Sequence, residues 1–256
     1  MATLIIVIIF LVLASLLVWF LLSNDERGKR KPVGSLWIAA GFGVIGIFAA
    51  IFLEQKFIPS STFLGTSTLG AVFLSAMGVG VIEESCKFLP LTLFIYKRKY
   101  FNEHMDGILY YAIAGLAFGI PENILYTLNF GSTAGIIRLF LTPVFHAATG
   151  SIVGYYLVRS KIDHKSKYKP VLAFIGAILI HGFYDFGLLS RVMIFIIISI
   201  AITLVVSVML FILFMKAKEL DKAEGLTVVG KNTFCRSCGA PNPEHKLYCS
   251  HCGNYA

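Results

Sequence analysis

Charge is what this chain has least of: Asp, Glu, Lys and Arg together make up 14% of its 256 residues. Soluble domains carry about a quarter. So thin a polar surface, with 57% hydrophobic residues and a mean hydropathy of +0.80, excludes an ordinary soluble fold and marks an integral membrane protein. Cysteine is sparse too, and four of the five crowd the C-terminal tail, so no disulfide framework is implied. No internal repeat or low-complexity tract is visible, whereas many transporters show repeated halves. The formal net charge of +8 does not point to nucleic acid, because the basic residues fall in short segments between apolar runs, where they orient helices in a bilayer.

What is present is a series of apolar runs. Thr3 to Leu22 carries no charge and at 1.5 Å per residue spans about 30 Å of hydrocarbon. A cleaved signal peptide fits less well, because the basic residues follow the run instead of preceding it. Further runs cover Gly34 to Leu53, Ser67 to Tyr96, Asp106 to Asn129, Ala134 to Val158, Pro170 to Leu189 and Val192 to Met215. The expected fold is an all-α polytopic membrane protein with about seven transmembrane helices. Arg27, Lys29, Arg30 and Lys31, then Lys97 to Lys99, then Arg159 to Lys169, then Lys216, Lys218 and Lys222 gather at one set of ends; only Lys56, Arg138 and Arg191 mark the other. That bias predicts the N-terminus outside and the C-terminus in the cytoplasm.

Three segments follow from composition: a membrane core over residues 1–215, a polar linker over 216–233 and a small tail over 234–256. The tail holds Cys235-Arg-Ser-Cys238-Gly239 and Cys249-Ser-His-Cys252-Gly253. Two C-x-x-C-G turns present four thiolates to one tetrahedral zinc, the pattern of a structural zinc ribbon. Two disulfides compete as an explanation, less well on a reducing cytoplasmic side. Such a ribbon can serve a cytoplasmic protein partner.

The core carries ionisable residues at hydrocarbon depth, where a charge costs about 2.5–3.5 kcal/mol on insertion scales and usually marks function. Glu83, Glu84 and Lys87 share one span. Lys87 is four residues from one glutamate and three from the other, so its ammonium can neutralise either, leaving the second carboxylate to handle protons. A structural ion pair is the bland alternative. Phe118-Gly-Ile-Pro-Glu122-Asn123 places an acid beside a helix-breaking proline, and the carbonyl that Pro121 frees is tolerable only near polar groups or water. Glu122 can be a second acid, a metal ligand or an orienting group; Asn123 is most simply structural. His146 lies mid-span, followed by small residues. His181 and Asp185 are four residues apart on one helix face, so the acid can orient the ring. All of these fall between midplane and the outer half, where one cavity can hold them.

Glu83-Glu84-x-x-Lys87, Phe118-x-x-x-Glu122, His146 and His181-x-x-x-Asp185, on successive spans, resemble the motifs of the PrsW family of intramembrane proteases, itself similar to the CAAX prenyl-protein endopeptidases and the bacteriocin-processing membrane proteins. The resemblance covers residues 1–215 and leaves the cysteine tail unexplained. It implies an endopeptidase of the bacterial or archaeal plasma membrane that cleaves membrane-spanning regulatory proteins such as anti-sigma factors. It makes Glu83 or Glu84 the base that activates water, His146 and His181 the groups that hold water or stabilise the oxyanion, and Glu122 and Asp185 their orienting partners, with Lys87, Phe118 and Asn123 in support. Two histidines with carboxylates are also adequate ligands for a hydrolytic metal, so a metal in the core stays open. A proton-coupled transporter can use the same Glu, His and Asp set; a seven-span sensor fits the topology but leaves the buried ionisable groups unexplained.

Overall fold

The computed structural model describes residues 33–65, 67–130, 132–163 and 167–229, with isolated positions before residue 24 and after residue 237. The expected first span, Thr3 to Leu22, and the four-cysteine tail therefore lie largely outside the described residues. Among the described residues seven helices follow in order: α1 Val33–Phe57, α2 Ser60–Leu64, α3 Leu69–Ile95, α4 His104–Phe130, α5 Ser132–Ile162, α6 Tyr168–Leu189 and α7 Met193–Val229. Among the described residues there is no strand. The polar stretch assigned to the linker is helical as far as Val229.

Local sequence sets several ends. Pro59 precedes the short α2 and Gly65 closes it at φ +73°, a left-handed conformation that glycine adopts without penalty. Thr68 caps α3 by accepting from the Ala71 N–H. At the other end of the bundle, Asp221 of α7 accepts from the backbone N–H groups of His104 and Met105, each at 2.8 Å, and from His104 Nδ1 at 2.9 Å. The Nε2 of the same ring meets Asp163, just past α5, at 3.0 Å. These contacts satisfy donors that a helix start leaves open and tie α4, α5 and α7 together.

Among the described residues five helices are long and apolar enough to cross a membrane: Gly34–Phe57, Leu69–Ile95, His104–Asn129, Tyr168–Leu189 and Met193–Ala223. The run Ala134 to Val158, expected as a span, falls within α5, which is 31 residues long. α5 packs against α4, α6 and α7, and its Thr142, His146, Thr149 and Ser151 are all buried. The outside shows the reverse pattern. Trp37, Phe52, Leu74 and Leu93 are largely exposed while Glu84 and Lys87 are fully enclosed, the arrangement of a protein whose surroundings are hydrocarbon.

Close helix approach builds this interior. Gly107 of α4 lies against the Gly154 carbonyl of α5, Gly115 against the His146 carbonyl, and Gly80 of α3 against Ile178 and Gly182 of α6. With little hydrophobic drive between helices in lipid, contacts of this kind carry the packing. Gly107→Val forces α4 from α5 and is expected to lower the melting temperature in detergent by at least about 3 °C, since overpacking costs about 1–3 kcal/mol. Gly176→Ala, whose new methyl meets open space, is expected to leave it unchanged in the same thermal scan.

Candidate active site

The site is assembled around the middle of α3. Lys87 Nζ donates to Glu84 Oε1 at 2.9 Å and to His146 Nδ1 at 2.8 Å, so α3 and α5 are joined through a buried ammonium. An ammonium has donors only, so Nδ1 of His146 accepts and the ring proton sits on Nε2. That N–H is donated to Glu122 Oε2 at 2.7 Å. Glu122 thereby orients His146, and its other oxygen is held by the Arg138 guanidinium. The Phe118 ring lies 4.3 Å from Lys87 Nζ and 5.4 Å from the His146 ring, and closes the network on one side.

His181 of α6 completes the arrangement. Its Nδ1 donates to Glu84 Oε1 at 2.6 Å, the oxygen that also accepts from Lys87. Its Nε2 faces Glu83 Oε2 at 3.4 Å and Asp185 Oδ2 at 3.3 Å; neither oxygen has a hydrogen-bond partner among the described residues. The two adjacent glutamates thus have opposite surroundings. Glu84 is enclosed by two donors, whereas Glu83 lines a cavity of about 480 Å³ together with Glu54, Glu122, Tyr126, Arg138 and Asp185. The cavity opens between the later half of α4, the early part of α5 and the C-terminal ends of α1 and α6. The Nε2 and Oε atoms that face each other here are those that water activation or metal ligation uses.

The structure therefore brings Glu83, Glu84, Lys87, Phe118, Glu122, His146, His181 and Asp185 into one cluster. Asn123 is buried beside it, but its side-chain oxygen has no partner among the described residues and its backbone carbonyl accepts from Thr127 at 2.7 Å. Two residues were missed by sequence reasoning. Arg138, read as a charge marking an external helix end, is 6% exposed; it pairs with Glu122 and lies 4.1 Å over the Tyr126 ring. Glu54, just past the expected second span, sits on α1 and lines the same cavity as Glu83. The available signal was that Glu54 is the single acidic residue of Val33–Phe57.

In type and spacing Glu83, His146 and His181 fit a metal ion, because one ligand atom from each lies within 4.8 Å of the others. One oxygen of Glu83, Oε2, has no hydrogen-bond partner among the described residues. The fit carries one condition: His146 must release Lys87 or Glu122, since both its nitrogens are engaged.

Residues 31–215 match the family described as PrsW family intramembrane metalloprotease. Among curated proteins the chain is 32% identical to Protease PrsW of Bacillus subtilis (strain 168) over 174 residues, 67% of this chain and 77% of that one. It is 30% identical to Protease PrsW of Geobacillus kaustophilus over 178 residues, 69% and 76%, and 31% identical to that of Clostridioides difficile over 180 residues, 66% and 74%. No solved structure matches. With the four sequence motifs meeting in one buried cluster and the match running through all of them, the chain belongs to the PrsW family of intramembrane proteases.

Proposed function

We propose that this protease hydrolyses a peptide bond of a membrane-spanning regulatory protein, such as an anti-sigma factor, with Glu83 as the base that activates water. The observation that carries the assignment is the unequal setting of the two glutamates. Glu84 is fully enclosed and its Oε1 accepts from both Lys87 and His181, whereas Glu83 lines the cavity and faces His181 Nε2 there at 3.4 Å. A base must reach both water and substrate, and Glu83 meets that condition.

Each neighbour then has a role. A water held between Glu83 and His181 Nε2 loses its proton to Glu83 as it attacks the scissile carbonyl. Glu84 and Asp185 fix the His181 ring from its two edges, so that Nε2 stays aimed at that water. Arg138, at the cavity wall, supplies fixed positive charge for the developing oxyanion, and Glu122 holds both Arg138 and His146 in place. Glu83, protonated by the attack, returns the proton to the leaving amine. If a divalent metal is resident, Glu83, His181 and His146 hold it, and it supplies Lewis acidity toward the carbonyl and a more acidic water. Glu84 and Asp185 would orient His181 in either case, and Glu122 would keep its hold on His146 where the ring gives up Lys87 instead.

The cavity opens at the end of the bundle away from the basic loops. With the N-terminus outside and seven spans, that end faces the exterior of a bacterial or archaeal plasma membrane. The tail, through Cys235, Cys238, Cys249 and Cys252, holds one structural zinc in the cytoplasm and offers a surface to a protein partner.

Glu83→Gln is expected to lower cleavage of a single-span substrate at least about 100-fold with an unchanged melting temperature. Glu84→Ala is expected to lose activity and also about 3–5 kcal/mol of stability, because it strands the buried Lys87 charge. Wild-type cleavage by Glu83→Gln sinks the assignment. For metal, the full chain with all four tail cysteines changed to serine is expected to keep cleaving without stoichiometric zinc by elemental analysis. Residual zinc that disappears in a further His181→Ala variant would give the core a metal instead.

A further inference from the structure

Toward the other end of the bundle, a second cavity of about 390 Å³ runs between α5, α6 and α7. Its walls are apolar, with Ile152 on α5, Ala173 and Gly176 on α6 and Met209 on α7; Tyr156, Tyr168 and Lys169 stand at its basic end. We propose that this groove binds one anionic phospholipid, an acyl chain lying along Ile152, Gly176 and Met209 and the headgroup phosphate meeting the Lys169 ammonium.

Size, wall chemistry and charge each support that occupant. A transmembrane helix is about 10 Å across, so roughly one helical turn would exhaust this volume; a single acyl chain is far narrower and fits along it. The floor is open where a lipid chain would pass, since a Cβ built on Gly176 meets no atom within 4 Å. One cation, Lys169, lines the mouth. Lys161 is committed to the carbonyls of Arg98 and Phe101, and Arg159 to Asp163. Lys169 is exposed, and among the described residues no carboxylate pairs with it. Tyr168 beside it is 63% exposed, an amphipathic ring placed where tyrosines sit at headgroup level. Basic pockets between membrane helices select anionic headgroups at about 1 kcal/mol for each lysine near the surface. The floor also touches the site: Thr149 lines the groove, and its hydroxyl donates to the His146 carbonyl at 3.3 Å.

The test uses the delipidated full chain in detergent, titrated with phosphatidylglycerol or phosphatidylcholine, with bound lipid counted by native mass spectrometry. One phosphatidylglycerol is expected to bind about fivefold more tightly than phosphatidylcholine. Lys169→Glu is expected to erase that preference and Lys169→Arg to keep it. Gly176→Leu, which fills the floor, is expected to weaken binding of both lipids about tenfold, the loss of roughly two buried methylenes. Equal affinity for the two lipids in the wild type, or an undiminished preference in Lys169→Glu, overturns the proposal. So does a photo-crosslinker at Tyr168 that captures a substrate helix in place of phospholipid, because the groove would then belong to the protein substrate.

Discussion

The Lys87 ammonium is the contact on which the rest of the centre depends. It is fully enclosed, bonded to a carboxylate on its own helix and to a histidine on another. Remove it and Glu84 loses its lysine counter-charge in a low-dielectric interior, keeping only the His181 donor, a defect of about 3–5 kcal/mol. Its chemical effect is as large as its structural one. Because it can only donate, it dictates which nitrogen of His146 bears the proton, and so turns that proton toward Glu122. By occupying one oxygen of Glu84 jointly with His181, it also couples the two histidines through a single carboxylate.

Helix geometry explains why two adjacent glutamates diverge. Successive residues on a helix point about 100° apart, so one of a neighbouring pair can face packed helices while the next faces a cavity. Glu84 takes the first direction and binds α6; Glu83 takes the second and meets Glu54 and Asp185. Several carboxylates share that cavity with one guanidinium, and so much negative charge is sustainable in a bilayer only with water or protons at hand. A hydrated pocket is also what peptide hydrolysis requires, so the electrostatic demand and the chemical one point the same way.

How much of this was legible from the chain varies by residue for a physical reason. Glu83, Glu84, Lys87, Glu122, His146, His181 and Asp185 were legible because an ionisable group within an apolar run is too costly to be incidental. The Glu84 to Lys87 pair was legible as a three-residue helical spacing. Arg138 and Glu54 were not, because both sit near the ends of apolar runs, where composition cannot separate a loop charge from one folded back into a cavity mouth. Nor was the Lys87 to His146 bond, which joins residues 59 positions apart. It depends on how far α5 is rotated against α4, and Gly115 and Gly119, packed against His146, set that rotation. The apolar run of α5 was legible, whereas the burial of its Thr142, Thr149 and Ser151 was not, since it depends on which helices pack around them.

The two ends of α4 carry the remaining argument. Its first turn is clamped by Asp221 and Asp163 through His104 and Met105, and Glu122 lies eighteen residues after His104, about 27 Å along a regular helix. An anchor at the basic end therefore sets the depth at which Glu122 meets His146 and Arg138. Pro121 stands immediately before that acid, where α4 has one backbone hydrogen bond fewer and bends most easily. The depth of Glu122 is thus set from the basic end of α4, and Arg138 and His146 of α5 fix its carboxylate there.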